Sequence, residues 1–187
     1  MSSRYGSNTD EHWLRQGSPS GVRNQSIGLL DTDADLAALT TQVMLSVAVP
    51  CQVGDLITNI TFKSGATAAG TPTNWWFALY DNSATPALLA QSADQTTTAW
   101  AANTVKTLAL ATAQRISTSG VYYASIMVKA GTCPTLIGKN VALAGAAASI
   151  LSSAVLGQTS GSSLTTTAPA TIATPTTVAT LPLAILT

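Results

Sequence analysis

From residue 41 onward, apolar and polar positions alternate in short runs. In Thr41–Val49 the apolar set Val43, Leu45, Val47 and Val49 falls on one side of an extended chain, with Gln42, Ser46 and Ala48 on the other. This period of two predicts a half-buried strand, which Pro50 ends. Asp55–Lys63 repeats the pattern, with Leu56, Ile60 and Phe62 on one face and Asn59, Thr61 and Lys63 opposite. In Asn74–Asp81 both faces carry aromatics: Trp75, Phe77 and Leu79 alternate with Trp76, Ala78 and Tyr80, so this strand is central or meets a partner on its second face. The polar turn DNSATP leads back into Ala87–Ser92 as a hairpin-like unit. Val105–Leu110 and Val121–Lys129 continue the alternation, the latter with Tyr122, Ala124, Ile126 and Val128 against Tyr123, Ser125 and Met127. Pro134–Ile137 is a shorter candidate, and Val178–Leu186 is a closing strand in which Pro182 implies an edge position or a bulge.

Six to eight short strands at fairly even spacing, with turn signals between them, predict an all-β fold: an antiparallel β-sandwich, best matched by an eight-stranded jelly roll. This body is expected over residues 36–187, preceded by an extended arm, residues 1–35. Met1–Gly28 is rich in Ser, Gly, Asn and Gln and shows no period, so it builds no core of its own. Tyr5, Trp13 and Leu14 are the large apolar groups in this polar arm and the candidate anchors against a partner.

Composition sharpens the picture. The chain has 187 residues, one domain's worth, with 29 Thr, 19 Ser and a single Glu, which is poor material for helices. Eight basic and eight acidic residues give no net charge, so no electrostatic footprint for nucleic acid exists. The first 35 residues hold half of these charges, whereas Asn140–Thr187 holds none and is expected to be sheltered between subunits. Val141–Leu156 is diluted by Gly145 and three serines, so no membrane span is expected, and the opening MSSRYGSNTD lacks the apolar run of a secretory signal.

Few residues offer chemistry. Asp31, Asp33 and Asp35 form a DxDxD opening, but Leu36 and Gln42 stand where a calcium loop needs Gly and Glu, which favours a solvated turn. The only His is His12, in the arm, so the body cannot build a nucleophile triad in cis. Asp55, Asp81 and Asp94 sit at turns, and Cys51 and Cys133, far apart and in no CxxC, read as buried free thiols, with one disulfide as the alternative. No catalytic, metal or cofactor site is expected. Of the aromatics weighed as a sugar platform, Trp100, beside Ala and Asn in a loop, is the one least explained by a core and the candidate glycan contact.

The string WFALYDNSATPALLAQSADQTTTAWAANTVKTLAL, then STSGVYYASIMV and LTTTAPATIAT, resembles a β-sandwich domain of bacteriophage virion proteins, of the kind found in minor tail proteins and fibres of phages of actinobacteria. The resemblance covers roughly Leu39–Thr187. It implies a virion structural protein, at the tail, fibre or capsid surface, assembled in the bacterial cytoplasm without a cofactor. It also implies homo-oligomers, with trimers favoured, and other virion proteins as partners of the arm. A carbohydrate-binding module recognising a host surface glycan is the alternative.

Overall fold

The structure, a computed structural model, describes residues 24–141 and 155–187. Its strands are β1 (Asn24–Gln25), β2 (Asp33–Asp35), β3 (Met44–Cys51), β4 (Leu56–Lys63), β5 (Gly70–Tyr80), β6 (Leu88–Gln91), β7 (Val105–Arg115), β8 (Gly120–Thr132), β9 (Ile137–Asn140), β10 (Gly157–Ser160), β11 (Thr176–Thr177), β12 (Thr180–Pro182) and β13 (Ala184–Leu186). All pair antiparallel, in a six-stranded sheet β11-β10-β3-β8-β5-β6, a four-stranded sheet β1-β13-β4-β7 and a three-stranded sheet β12-β9-β2.

The two larger sheets pack face to face as an antiparallel β-sandwich. Leu45, Val47 and Val49 of β3, Trp75, Phe77 and Leu79 of β5, and Ala124, Ile126 and Val128 of β8 meet Ile57, Ile60 and Phe62 of β4, Leu110 of β7 and Leu186 of β13 in one buried cluster. Phe62 and Phe77 touch edge-on across the gap, 4.8 Å between centroids. One side of the sandwich is closed where Ser92, just past β6, bridges Leu110 of β7. Three of the pairs are nested, β3 with β8, β4 with β7 and β5 with β6, and β8 also pairs along β5 within the six-stranded sheet.

Several details depart from the simple alternation. β3 runs through Pro50 to Cys51, with Pro50 opposite Val121. Ala48 N–H donates to Leu156 O on the β10 side, and the β3·β10 ladder itself ends at the Val47–Gly157 pair. Two residues on, Pro50 lies past the last β10 pairing among the described residues, where proline costs no bond of that ladder. In β4 the register slips between Ile57 and Asn59. The bulge inverts the phase, so Ile57 is buried and Leu56, expected inside with Ile60 and Phe62, lies 48% exposed. Pro182 lies in β12, an edge strand as anticipated, and the chain crosses at Leu183 from the three-stranded to the four-stranded sheet. Gly138 of β9 is required by close approach, since a Cβ there would run into Leu181 O.

The boundary of the arm also moves. Residues 24–35 belong to the body, because β1 adds to the edge of the four-stranded sheet and β2 to that of the three-stranded one. Asn24 and Asp33 have partners there that sequence cannot supply: Asn24 Nδ2 donates to Asp55 Oδ2 at 2.7 Å, and Lys139 Nζ pairs with Asp33 Oδ2 at 2.8 Å.

The second face of the six-stranded sheet is covered as well, by the chain's own residues 161–175. This strap is bounded by left-handed residues, Gly161 (φ 73°) and Ser163 (φ 56°) at its start and Thr174 (φ 43°) at its end. Ala168 and Ile172 of the strap bury against Met44, Trp76, Tyr80, Tyr123 and Met127. Within the charge-free stretch the chain itself buries Ala168 and Ile172 of the strap, while residues 161–163, 165–167 and 173–176 stay exposed; residues 142–154 lie outside the described residues.

Candidate functional site

The strap's seat is the most extended polar arrangement among the described residues. Across the outer face of the six-stranded sheet the register aligns Gln158, Ser46, Ser125, Ala78 and Gln91 in one row. On one side of it lies the row Met44–Met127–Trp76, on the other Ala48–Tyr123–Tyr80–Leu88. A row of small and polar residues between rows of large ones is a trough, and Ser46 and Ser125 satisfy each other at its floor, 2.7 Å apart. The trough's side chains bind the strap's backbone. Trp76 Nε1 donates to Thr165 O at 2.7 Å, Tyr80 OH to Pro169 O at 2.8 Å and Gln91 Nε2 to Thr166 O at 2.8 Å, while Gln91 Oε1 accepts from Ala168 N–H at 2.6 Å. Gln42 holds the strap's start through its backbone and side chain, both bonded to Leu164.

Trp100 stands elsewhere from its expected place. It is 1% exposed, stacked on Trp75 with centroids 5.1 Å apart, and its Nε1 donates to Thr104 O at 3.2 Å. The Ala–Asn loop around it is a lid that turns the ring inward, and Lys106 Nζ lies 5.8 Å from the centroid of the Trp75 ring. Trp100 therefore offers no face to a sugar, which corrects the glycan-contact assignment. Trp75, Trp76, Tyr80, Tyr122 and Tyr123 are likewise buried. Tyr5, Trp13 and Leu14, the arm's candidate anchors, lie outside the described residues.

The carboxylates are taken up singly. Asp35 accepts Ala66 N–H at 2.8 and 2.7 Å, and Asp33 pairs with Lys139, so the DxDxD run spans two environments rather than closing around an ion. Asp55 holds the β3–β4 turn through Gln52 N–H, and Asp94 accepts Trp75 N–H and Asn74 Nδ2. At Asp81 burial opposes ionisation, but the Ser83 hydroxyl and the N–H groups of Ala87 and Ser83 outweigh it and hold the carboxyl below its ordinary range. These are the turn roles expected of Asp55, Asp81 and Asp94.

Both cysteines are free and buried, as their separation and lack of a CxxC motif lead one to expect. Burial pushes the Cys51 thiol up to about 12 and raises Cys133, the opposite of what a nucleophile needs. A cleft of about 280 Å³ at the strap's root is lined by the hydroxyl residues Thr159, Ser160, Ser162, Thr174 and Thr176. Ser160 Oγ is buried there without a hydrogen-bond partner. Among the described residues no group of three His, Cys, Asp or Glu is placed to hold a metal ion, and no helix is long and apolar enough to cross a membrane.

No protein-family model matches the chain, and no curated protein matches its sequence. What the fold and surfaces define is a class: an antiparallel β-sandwich whose six-stranded sheet is covered on its outer side by residues 161–175 of the same chain.

Proposed function

We propose that the chain is a non-enzymatic structural subunit of a bacteriophage particle, of the minor tail, fibre or capsid-surface decoration type, whose sandwich serves as a scaffold and whose N-terminal arm attaches it to other virion proteins. The observation that carries this reading is how the three stretches behind the resemblance come together. WFALYDNSATPALLAQSADQTTTAW supplies β5, β6 and the Trp100 lid, STSGVYYASIMV supplies β8, and LTTTAPATIAT is the strap. Trp76, Tyr80 and Gln91 of the first stretch bind the strap up to 89 positions away, and β8 pairs along β5 beneath it. A shared sequence style that maps onto one mutually dependent packing unit is what a reused scaffold requires, and it lends weight to the family resemblance. The nested pairs β3·β8, β4·β7 and β5·β6 fit a jelly-roll winding with three nested pairs.

Attachment is the arm's role in this reading, and trimeric association suits a tail or fibre position. Electron microscopy of particles carrying a labelled copy tests it. A chain lacking Met1–Arg23 should fold and yet fail to enter particles; incorporation at the wild-type level rejects the arm's role, and absence of label from purified particles rejects the virion reading. The glycan-binding alternative has lost Trp100, and dose-dependent binding on a glycan array would restore it.

A further inference from the structure

Among the described residues the four-stranded sheet has no counterpart to the strap. Its outer side presents the cross-strand pairs Lys63–Val105, Thr61–Thr107, Asn59–Ala109 and Leu56–Arg115. Val105 and Leu56 are 57% and 48% exposed, and Thr107, Ala109, Ala111 and Ala113 are exposed beside them. Short side chains leave this face flat, and its centre is uncharged. Its four strands carry Lys63, Lys106 and Arg115 and no carboxylate, and Lys63 and Arg115 bracket the outer face.

Residues 1–23 join the molecule at the edge of this sheet, where β1 pairs with β13. Asn24, the first residue of β1, is tied to Asp55 just ahead of β4, so the arm joins the sheet beside the Leu56–Arg115 end of the face. Ten residues separate Trp13 from Asn24, a reach of up to about 35 Å when extended, well beyond the sheet's own width of roughly 15 Å across three strand spacings. The segment Asp10–Leu14 has the chemistry the face lacks: two carboxylates, Asp10 and Glu11, followed by Trp13 and Leu14.

We infer that the outer face of the four-stranded sheet receives residues 10–14 of the arm of a second copy, with Asp10 and Glu11 toward Lys63 and Arg115 and Trp13 and Leu14 on the apolar strip from Val105 to Ala113. The contact is head-to-tail, so it closes into a ring when the rotation between copies allows. The inference rests on reading the chain as an assembly subunit and names the arm's partner. It is tested on the purified protein, so its failure leaves the particle-labelling result untouched.

The test pairs Trp13→Cys in one full-length chain with Ala109→Cys in another, mixed under mild oxidation. Cys51 and Cys133 are buried and remain out of reach. A mixed disulfide between the two different chains, formed in preference to either homodimer, is the expected product. A chain carrying both substitutions that closes only on itself, or no mixed product, overturns the inference. Light scattering at micromolar concentration should give an oligomer whose dissociation constant rises about tenfold or more with Ala109→Arg or Trp13→Ala, circular dichroism being unchanged. A monomeric wild type, or an oligomer indifferent to both substitutions, also overturns it.

Discussion

The outer faces of the two large sheets are built from different kinds of residue, and the chain treats them differently. On the six-stranded sheet, Trp76, Tyr80, Tyr123 and Met127 stand on the outer side and would expose a large apolar surface, so the chain returns after β10 and lays residues 161–175 over them. On the four-stranded sheet the outward positions of β7 are Val, Thr and Ala, small enough to meet water without a cover. Aromatic content on the second face is thus what demanded a strap, and the absence of charge within the strap is what allowed it to lie in a trough without desolvating an ion.

This contrast breaks most visibly at Trp76. Trp76→Ala removes a fully buried ring and the donor to Thr165 O, and about 3–5 kcal/mol of stability should go with it. Denaturant unfolding followed by intrinsic fluorescence measures the loss. Ile172→Ala, on the strap itself, should cost about 2–4 kcal/mol, since its side chain is 2% exposed in the same cluster. If Ile172→Ala were neutral, the strap would be an ornament and the two faces equivalent.

The longer strands were legible in the sequence because successive side chains go to opposite faces, and β3, the Asn74–Tyr80 part of β5 and β8 send alternate residues into the two buried clusters. β4 was read out of phase for a physical reason: a bulge adds a residue to one strand and leaves no mark in a hydrophobic pattern, and Leu56 and Ile57 are interchangeable to that pattern. Trp100 was misplaced because a loop's composition says nothing about which way the loop folds; only the Trp75 ring beneath it explains the burial. The strap was least legible. LTTTAPATIAT has neither period nor charge, and its partners Gln42, Trp76, Tyr80 and Gln91 are 75 to 122 positions away. The double set of aromatics in Asn74–Asp81 was the one available sign that the second face needed a cover, without saying whose.

Gln91 separates the strap's hydrogen bonding from its apolar burial. Gln91→Ala leaves Thr166 O and Ala168 N–H without their protein partners, at a cost of about 1–2 kcal/mol because water reaches part of the site. Hydrogen exchange should then quicken at Ala168 while the β3–β8 ladder keeps its protection; uniform quickening would mean that the strap and sheet open as one unit.

Alkaline pH probes the two sealed layers together. The folded state holds Cys51 at about 12 against an ordinary 9.0, and burial raises Tyr80, on the strap side, above its ordinary 10.0. Both are neutral when buried, so their contribution is complete below the unfolded values. It is lost as pH rises, from 9 through about 12 for Cys51 and from 10 upward for Tyr80. Each pH unit inside a group's window removes about 1.4 kcal/mol per group. Urea midpoints should therefore fall between pH 9 and 10 through the thiols and more steeply above 10, and Cys51→Val should flatten the first part. Asp81 works in the opposite sense: its lowered pKa gives stability above the ordinary carboxylate range that is lost as the solution is acidified through the folded value.

The smallest expected effect lies on the uncovered face. Ala111→Lys places a charge among the exposed positions of β7, in the stretch between Ala109 and Gln114 that has no partner on β4, and should change the stability of the isolated subunit by less than about 0.5 kcal/mol. Measured at a concentration low enough to keep copies apart, this substitution touches nothing that the fold needs. The equivalent change on the other sheet, Ala78→Lys, buries an ammonium under the strap between Ser125 and Gln91, where no carboxylate stands among the described residues, and should prevent folding. Two alanines on the outer sides of two sheets in one sandwich would then differ by the whole stability of the domain. A measurable loss at Ala111 in the isolated subunit would instead mean that the second face, too, is covered by its own chain.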